Sequence, residues 1–204
     1  MTQKTAIDVR AVVLAAGRSS RMGGPNKLMA QFSGQPLIRR TVERALSCGA
    51  SGVLVVTGHQ AERIHAALGG LAVAFAHNAD FASGLAGSLR TGIAALPESA
   101  DGALIALGDM PTISAADLER LISAFRLAGG QSIVRATHQG NRGNPLVLPR
   151  ALFAAIGTLE GDTGARQLVA AAAMPVVDVE IGEGASIDVD TPDALATAGG
   201  VLQD

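Results

Sequence analysis

Short uninterrupted apolar runs alternate along this chain with segments of helical pattern, and that alternation constrains the fold more than any other feature. Val9–Leu14 opens the series, followed by "GVLVVTG" (52–58), "LAVAFA" (71–76), "GALIAL" (102–107), "SIVRAT" (132–137) and the shorter "NPLVLP" (144–149). Between them lie helical stretches. "PLIRRTVERALSCG" begins at Pro36 and closes at Gly49, the asymmetry expected of helix ends. "QAERIHAALGG" and "GSLRTGIAALP" follow, the second weakened by Gly92, and "SAADLERLISAFRLAGG" starts with a capping serine, Ser114, and an early acid, Asp117. The later part reads as a helix in "GDTGARQLVAAAA", a strand in "MPVVDVEI" and a closing helix in "TPDALATAG". Strands that alternate with helices imply right-handed crossovers and a mostly parallel sheet. Strands that are apolar on every residue are covered on both faces. The expected fold is therefore α/β, a three-layer α/β/α sandwich around a Rossmann-like, mostly parallel sheet.

A sheet of this kind binds ligands at the carboxyl ends of its strands. That directs attention to the loops after Leu14 and Leu107. The chain has 204 residues, 48% of them hydrophobic and 17% charged, which suits a single folded domain over 1–204. With no Trp, no Tyr and five Phe, its core must be built from Ala, Val, Leu and Ile. Sixteen basic against eighteen acidic residues give a net charge of −2, and no basic block or aromatic cluster occurs, so a long nucleic acid is not an expected partner. The single cysteine, Cys48, allows neither an intrachain disulfide nor a metal-type cysteine spacing. "MTQKTAIDVR" does not read as a leader, and no apolar run reaches the roughly 18 residues of a membrane span. A cytoplasmic protein is expected.

The first loop, "LAAGRSSRMGGPNK", follows the most apolar strand with three glycines and three cations. It is not a Walker loop, since Lys27 lies between Asn26 and Leu28, and it is not a G-x-G-x-x-G fingerprint. Its chemistry still suits phosphate. Gly17, Gly23 and Gly24 allow close approach of main-chain N–H groups, which form anion-binding concavities in turns. Arg18 and Arg21 supply forked donors and Lys27 a point charge. A solvated surface turn has the same composition.

Two acids stand out. Asp109 follows a buried strand between Gly108 and Met110, and Asp190 precedes a helix in "IDVDTPDAL". Taken singly, the first is a turn residue and the second a helix cap. Taken together they suit Mg²⁺, which prefers one or two carboxylates, retained waters and substrate phosphates. Asp188 alternates with Asp190 and is a weaker candidate for the second position. Asp162 in "GDTGAR" is equally readable as a cap or as a functional acid. "FASGLAGSLRTG" sets Ser83, Gly84 and Ser88 ahead of a helix, where small residues suit an anion, a base edge or a plain cap.

The loop resembles the signature loop of the GT-A-like nucleotidyltransferases, the nucleotide-diphospho-sugar transferase type of fold, and within them the molybdenum cofactor cytidylyltransferase group. That group carries roughly L-A-A-G-x-S-x-R-M-G-x-x-K, and the present "GGPNK" is one residue longer before the lysine. "ASGLAGSLRTG", "ALGDMP", "GNRGNPLVL", "GDTGAR" and "IDVDTPDAL" resemble further segments of the group, in the same order. The resemblance implies a nucleotide-binding half near 8–113 and an acceptor-binding half near 114–204. It implies that Leu14, Ala15, Ala16, Gly17, Arg18, Lys27, Ser83, Gly84, Ser88 and Gly108 bind the nucleotide. Arg18, Arg21, Lys27 and Asp109 would be catalytic, and Asp109 and Asp190 would hold Mg²⁺. His138, Arg142, Asn144 and Arg166 would face the acceptor.

The implied reaction moves CMP from CTP to the phosphate of molybdopterin, or of molybdenum cofactor, with release of pyrophosphate. No side-chain base is required, since a phosphomonoester with a second pKa of about 6 is already largely dianionic at neutral pH. A molybdenum hydroxylase or its maturation factor would receive the product. Ala16 stands where guanylyl-transferring relatives tend to carry glycine, and its methyl group favours CTP over GTP. A GTP-using enzyme, a sugar- or polyol-phosphate acceptor, and a non-catalytic carrier of the cofactor are the competing readings.

Overall fold

The computed structural model describes residues 6–202 except 160, 162 and 163. Its elements in chain order are β1 (Val9–Ala15), β2 (Gln31–Phe32), β3 (Gln35–Pro36), α1 (Leu37–Leu46), β4 (Val53–Thr57), α2 (Ala61–Ala67), β5 (Ala74–His77), α3 (Leu85–Ala94), β6 (Gly102–Leu107), α4 (Ala115–Leu127), β7 (Ile133–His138), β8 (Asn141–Pro149), α5 (Phe153–Ile156), α6 (Gly164–Ala171), β9 (Val176–Glu180) and α7 (Pro192–Thr197). Seven strands form one sheet in the order β5-β4-β1-β6-β8-β7-β9, and β2 and β3 make a separate small hairpin. Pairings β1–β4, β1–β6, β4–β5 and β7–β9 are parallel.

The central strands feed two cores because successive side chains point to opposite faces, whereas the edge strands β5 and β9 leave Phe75 and Val176 exposed, so the continuous apolarity of 71–76 does not mark a covered strand. In β1, Val9, Ala11, Val13 and Ala15 join Ile38 and Val42 of α1 and Leu118, Leu121, Ile122 and Phe125 of α4. Val12 and Leu14 point the other way, to Leu89 and Ile93 of α3 and Ile156 of α5. The result is the expected three-layer α/β/α architecture with a mostly parallel sheet.

The sequence pattern misses one strand direction. β8 runs antiparallel to both neighbours, β6 and β7, and starts at Asn141 rather than Asn144. The cause is the turn at Gln139 and Gly140, which have φ of 50° and 75°. A two-residue turn with both φ positive closes a hairpin. Gln is an unfavourable occupant of that region, and the cost is met from outside the turn. Glu180 of β9 accepts hydrogen bonds from the N–H groups of Gln139 (3.0 Å) and Gly140 (3.4 Å) and from the Thr137 hydroxyl (3.0 Å).

Gly92 has a packing role that helix propensity alone does not show. A Cβ there would lie 2.6 Å from Val12 Cγ1 and 3.0 Å from Val56 Cγ2, so glycine lets α3 lie close on the sheet. Gly92→Ala gains about 1 kcal/mol of helix propensity. It loses roughly 1–3 kcal/mol to overpacking against two buried β-branched side chains. We expect a net loss of up to about 2 kcal/mol, read as a lower urea midpoint with unchanged slope.

β4 and β5 lie to one side of β1 and β6 to the other. The strand order therefore reverses between β1 and β6, and the crevice at their carboxyl ends is where such a sheet takes a ligand.

Candidate active site

The loop leaving β1 is anchored at several points. Met22 is buried in a small third core with Ala30, Phe32, Leu37, Val189 and Leu195. The Ser19 hydroxyl accepts from Lys27 N–H at 3.2 Å, and the buried Asn26 side chain accepts from Leu28 N–H at 3.1 Å. Asn26 Nδ2 also donates to Gln60 Oε1 at 3.3 Å. Within "GGPNK", Gly23 and Gly24 have φ of 72° and 135°, conformations that favour glycine. Lys27 is thereby fixed at the backbone while its side chain reaches inward.

Asp109 lies just past β6. Helix α1 steadies its loop from behind, where Thr41 Oγ1 donates to Gly108 O (3.2 Å) and Arg44 to Pro111 O (2.8 Å). Val189 N–H donates to Asp109 O at 3.2 Å, and its side chain enters the same small core as Met22. That core brings the first loop and the late acidic segment together across more than 160 residues of chain. Thr191, not Asp190, caps α7, accepting from Ala194 N–H at 3.2 Å with Pro192 in the first turn. The Asp190 carboxylate is thus left for other partners.

Those partners are cations. Lys27 Nζ donates to both Asp109 Oδ2 and Asp190 Oδ1. Arg21 pairs with Asp190 Oδ2 at 2.7 Å. Burial alone would lower the Lys27 pKa, but the two carboxylates outweigh it and raise it above the usual lysine value. Burial pushes Asp190 up, and Lys27 and Arg21 more than offset this, so its pKa lies below the usual range. The Asp188 pKa is raised, by desolvation first and then by the charges of Asp190 and Asp109.

A cavity of about 420 Å³ opens over this cluster. Of the positions expected for nucleotide and catalysis, Leu14, Ala16, Gly17, Arg18, Arg21, Lys27, Gly84, Ser88, Asp109 and Asp190 line it. Three do not. Ala15 points into the opposite core, as strand alternation requires. Ser83 turns its hydroxyl to Asp80 O, 2.8 Å away. Gly108 lies beneath the floor, where a Cβ would fall 3.1 Å from Leu14 O and 3.0 Å from Ile38 Cδ1. Phe81, Leu85 and Leu107 also line the cavity and give one end an apolar surface. Ser88 is held by the buried Asn78, whose Nδ2 donates to its hydroxyl at 3.1 Å. Nothing in the local sequence pattern marks Asn78 or Phe81, because their contacts are made only in three dimensions.

The acceptor-side expectations fall elsewhere. His138, Arg142 and Asn144 sit on β7 and β8 around the hairpin, at the same edge of the sheet but outside the cavity lining. The physical reason is the order of the sheet, in which β8 separates β7 from β6. His138 Nδ1 lies 3.7 Å from Glu180 Oε1. Arg166 belongs to α6, but its side chain, like Asp162, lies outside the described residues.

The acids fit a divalent cation. Asp109 is 9% exposed, and its Oδ1 is buried with no hydrogen-bond partner among the described residues. A buried carboxylate oxygen without a donor is costly unless a cation or water satisfies it. No grouping of three or more metal-type side chains occurs among the described residues. The cavity offers Asp109 and Asp190 bridged by Lys27, with Asp188 also on its wall, and leaves room for phosphate and water, which suits Mg²⁺ or Mn²⁺ better than a closed protein cage.

A doubly wound sheet with a glycine–cation loop after its first strand and acids opposite defines a nucleotidyltransferase-type site. The chain belongs to the MobA-like NTP transferase domain family, whose model matches residues 11–176. It is 28% identical over 188 residues to the molybdenum cofactor cytidylyltransferase of Escherichia coli K12, covering 92% of this chain and 93% of that protein. It is 30% identical over 163 residues to the nicotine blue oxidoreductase of Paenarthrobacter nicotinovorans, covering 78% of this chain and 79% of the relative. The bifunctional protein GlmU of Anaeromyxobacter sp. strain K is 36% identical over 146 residues, 69% of this chain, which spans only 30% of that longer protein. Rv0371c of Mycobacterium tuberculosis H37Rv has the same fold, with a TM-score of 0.82 at 27% identity over 95% of this chain and 98% of that one. The same protein in complex with manganese superposes with a TM-score of 0.80 at 26% identity, covering 94% of this chain and 97% of its own. No helix among the described residues is long and apolar enough to cross a membrane.

Proposed function

We propose that this protein transfers CMP from CTP to the phosphate of molybdopterin or molybdenum cofactor. One observation carries the reading: Lys27, Asp109 and Asp190 meet in a single cavity that Arg18 and Arg21 also line. At about 420 Å³ the cavity falls within the usual range of roughly 300–1,000 Å³ for small-ligand sites. Its apolar end, at Leu14, Ala16, Phe81 and Leu107, suits a base, with Ser88 as a polar contact. Its charged end suits a triphosphate. The likeness along nearly the whole length of the E. coli cytidylyltransferase supports the choice of base and acceptor.

In this reading a phosphate oxygen of the acceptor attacks the α-phosphorus of CTP. The bond from that phosphorus to the α,β-bridging oxygen breaks, and pyrophosphate leaves with the electron pair. The acceptor arrives as a dianion, so the chain supplies no base. Lys27, Arg18 and Arg21 neutralise charge that builds on the α-phosphate and the leaving group, and the loop amides fix the phosphates in place. A divalent ion held by Asp109 and Asp190 would supply further charge neutralisation on the phosphates. His138, Arg142 and Asn144 are proposed to meet the acceptor from the β7–β8 side, with Arg166 proposed as a further acceptor contact, and a molybdenum hydroxylase or its maturation factor would take the product.

The test is pyrophosphate release from CTP with purified protein, Mg²⁺ or Mn²⁺ and molybdopterin. Release that requires all three is expected, and cofactor binding without release would favour a carrier. Calorimetry of CTP, GTP, UTP and ATP with Mg²⁺ checks the base. The Ala16 methyl is expected to give CTP the tightest binding, and tighter GTP would reverse the assignment.

A further inference from the structure

The ammonium of Lys27 occupies the gap between the two carboxylates that the proposed reaction gives to a metal ion. We propose that Lys27 is a tethered stand-in for that ion, so that metal and lysine exchange places during the binding cycle. In the free enzyme the lysine bridges Asp109 and Asp190, with Arg21 as a second cation on Asp190, and it leaves them when phosphates enter the cavity and the ion takes its place. This rests on the reading of Asp109 and Asp190 as the metal acids.

Four observations carry it. Among the described residues, Lys27 Nζ hydrogen-bonds only these two acids, so it has no other anchor to lose. Its backbone is pinned at Ser19 and next to Asn26, so a rotation of the flexible side chain suffices for the exchange and the loop stays in place. Asp109 Oδ1 is buried without a partner while Oδ2 is held by the lysine, so the lysine fills only part of the pair's capacity. The cavity lined by Lys27 opens directly over the acids, and the loop arginine Arg18 lines it without an acidic partner among the described residues, which gives arriving phosphates a cationic wall.

The physical consequence is linkage. An ammonium and a divalent cation repel one another across so short a gap, so the metal binds the free enzyme against Lys27. Phosphate that draws the ammonium away removes that opposition, and metal in turn favours phosphate by the same factor. The protein then avoids holding a bare ion on the buried Asp109 and the half-buried Asp190, and equally avoids leaving Asp109 without a cation.

The experiment is Mn²⁺ titration of the intact protein without nucleotide, followed by electron paramagnetic resonance of the free ion. Lys27→Met is expected to bind Mn²⁺ about 5–150-fold more tightly than wild type, the usual span of such couplings. The double variant with Asp109→Asn should lose the gain. Equal Mn²⁺ affinity in wild type and Lys27→Met would overturn the exchange. A second measurement uses wild type alone and does not depend on the variant's folding. Acylation of Lys27 by an amine reagent, read by mass spectrometry, should rise when Mn²⁺ saturates the protein, and labelling unchanged by Mn²⁺ would also overturn it. The two readings fail separately. Intact CTP turnover with equal Mn²⁺ affinities removes the exchange and leaves the function. Coupling without CTP turnover does the reverse.

Discussion

Asp109→Asn is expected to lower turnover by at least about 10²–10³-fold, the loss typical of removing one preorganised electrostatic group. The substitution keeps the side chain's volume, so the buried strand end and the Thr41 and Arg44 contacts to its loop should survive. What it removes is the negative charge that faces Lys27, and it turns one of the two carboxylate oxygens into an amide donor that cannot bind a cation. Steady-state pyrophosphate release at saturating CTP and high Mg²⁺ reads the effect, and a circular dichroism melt checks the fold. The loss should persist as metal is raised, because an amide cannot replace a carboxylate as the ion's charge partner. Turnover within a few fold of wild type at limiting Mg²⁺ would remove Asp109 from the metal site.

Lys27→Ala is the second large effect, roughly 10²–10³ in kcat. It should differ from the first in kind. Asp109→Asn weakens metal binding, whereas Lys27→Ala tightens it and loses activity because a phosphate contact is missing. Asp109 and Asp190 also lose their ammonium; Arg21 still pairs with Asp190, so the uncompensated charge is that of Asp109, and the stability cost falls below the roughly 3–5 kcal/mol of a fully buried pair when no other cation enters. Divalent metal should therefore raise the melting temperature of Lys27→Ala more than that of wild type, as a ligand that binds only the folded state does. A variant with normal kcat and no change in its response to metal would contradict both roles given to Lys27.

Much of this was legible before any coordinates. The continuous apolarity of Val9–Leu14 and Gly102–Leu107 marked two covered parallel strands, and their carboxyl ends are where Gly17 and Asp109 lie. Residue types alone single out the first loop, whose Gly17, Arg18, Arg21 and Lys27 line the cavity. Three things could not be read in this way. The direction of β8 depends on Glu180, some 40 residues from the turn it supports. The cap of α7 belongs to Thr191, and a string of Asp, Thr and Pro does not say which residue turns its oxygen to the helix. Asn78 and Phe81 act by position only, one holding Ser88 and the other walling the cavity. The region proposed to meet the acceptor is the least legible, since His138, Arg142 and Asn144 lie around a hairpin whose geometry the pattern does not indicate.

The small core that joins Met22 to Val189 and Leu195 has a bearing on how the enzyme matures during synthesis. Gln31 and Val201 exchange backbone hydrogen bonds of 2.8 and 3.0 Å, so the hairpin of β2 and β3 gains a further partner made much later. A ribosome therefore releases the whole central sheet before the cavity wall at Asp190 exists. Nascent chains stalled with residue 185 just outside the exit tunnel should resist protease yet retain no CTP, and competence should arrive abruptly once residues 189–201 have emerged.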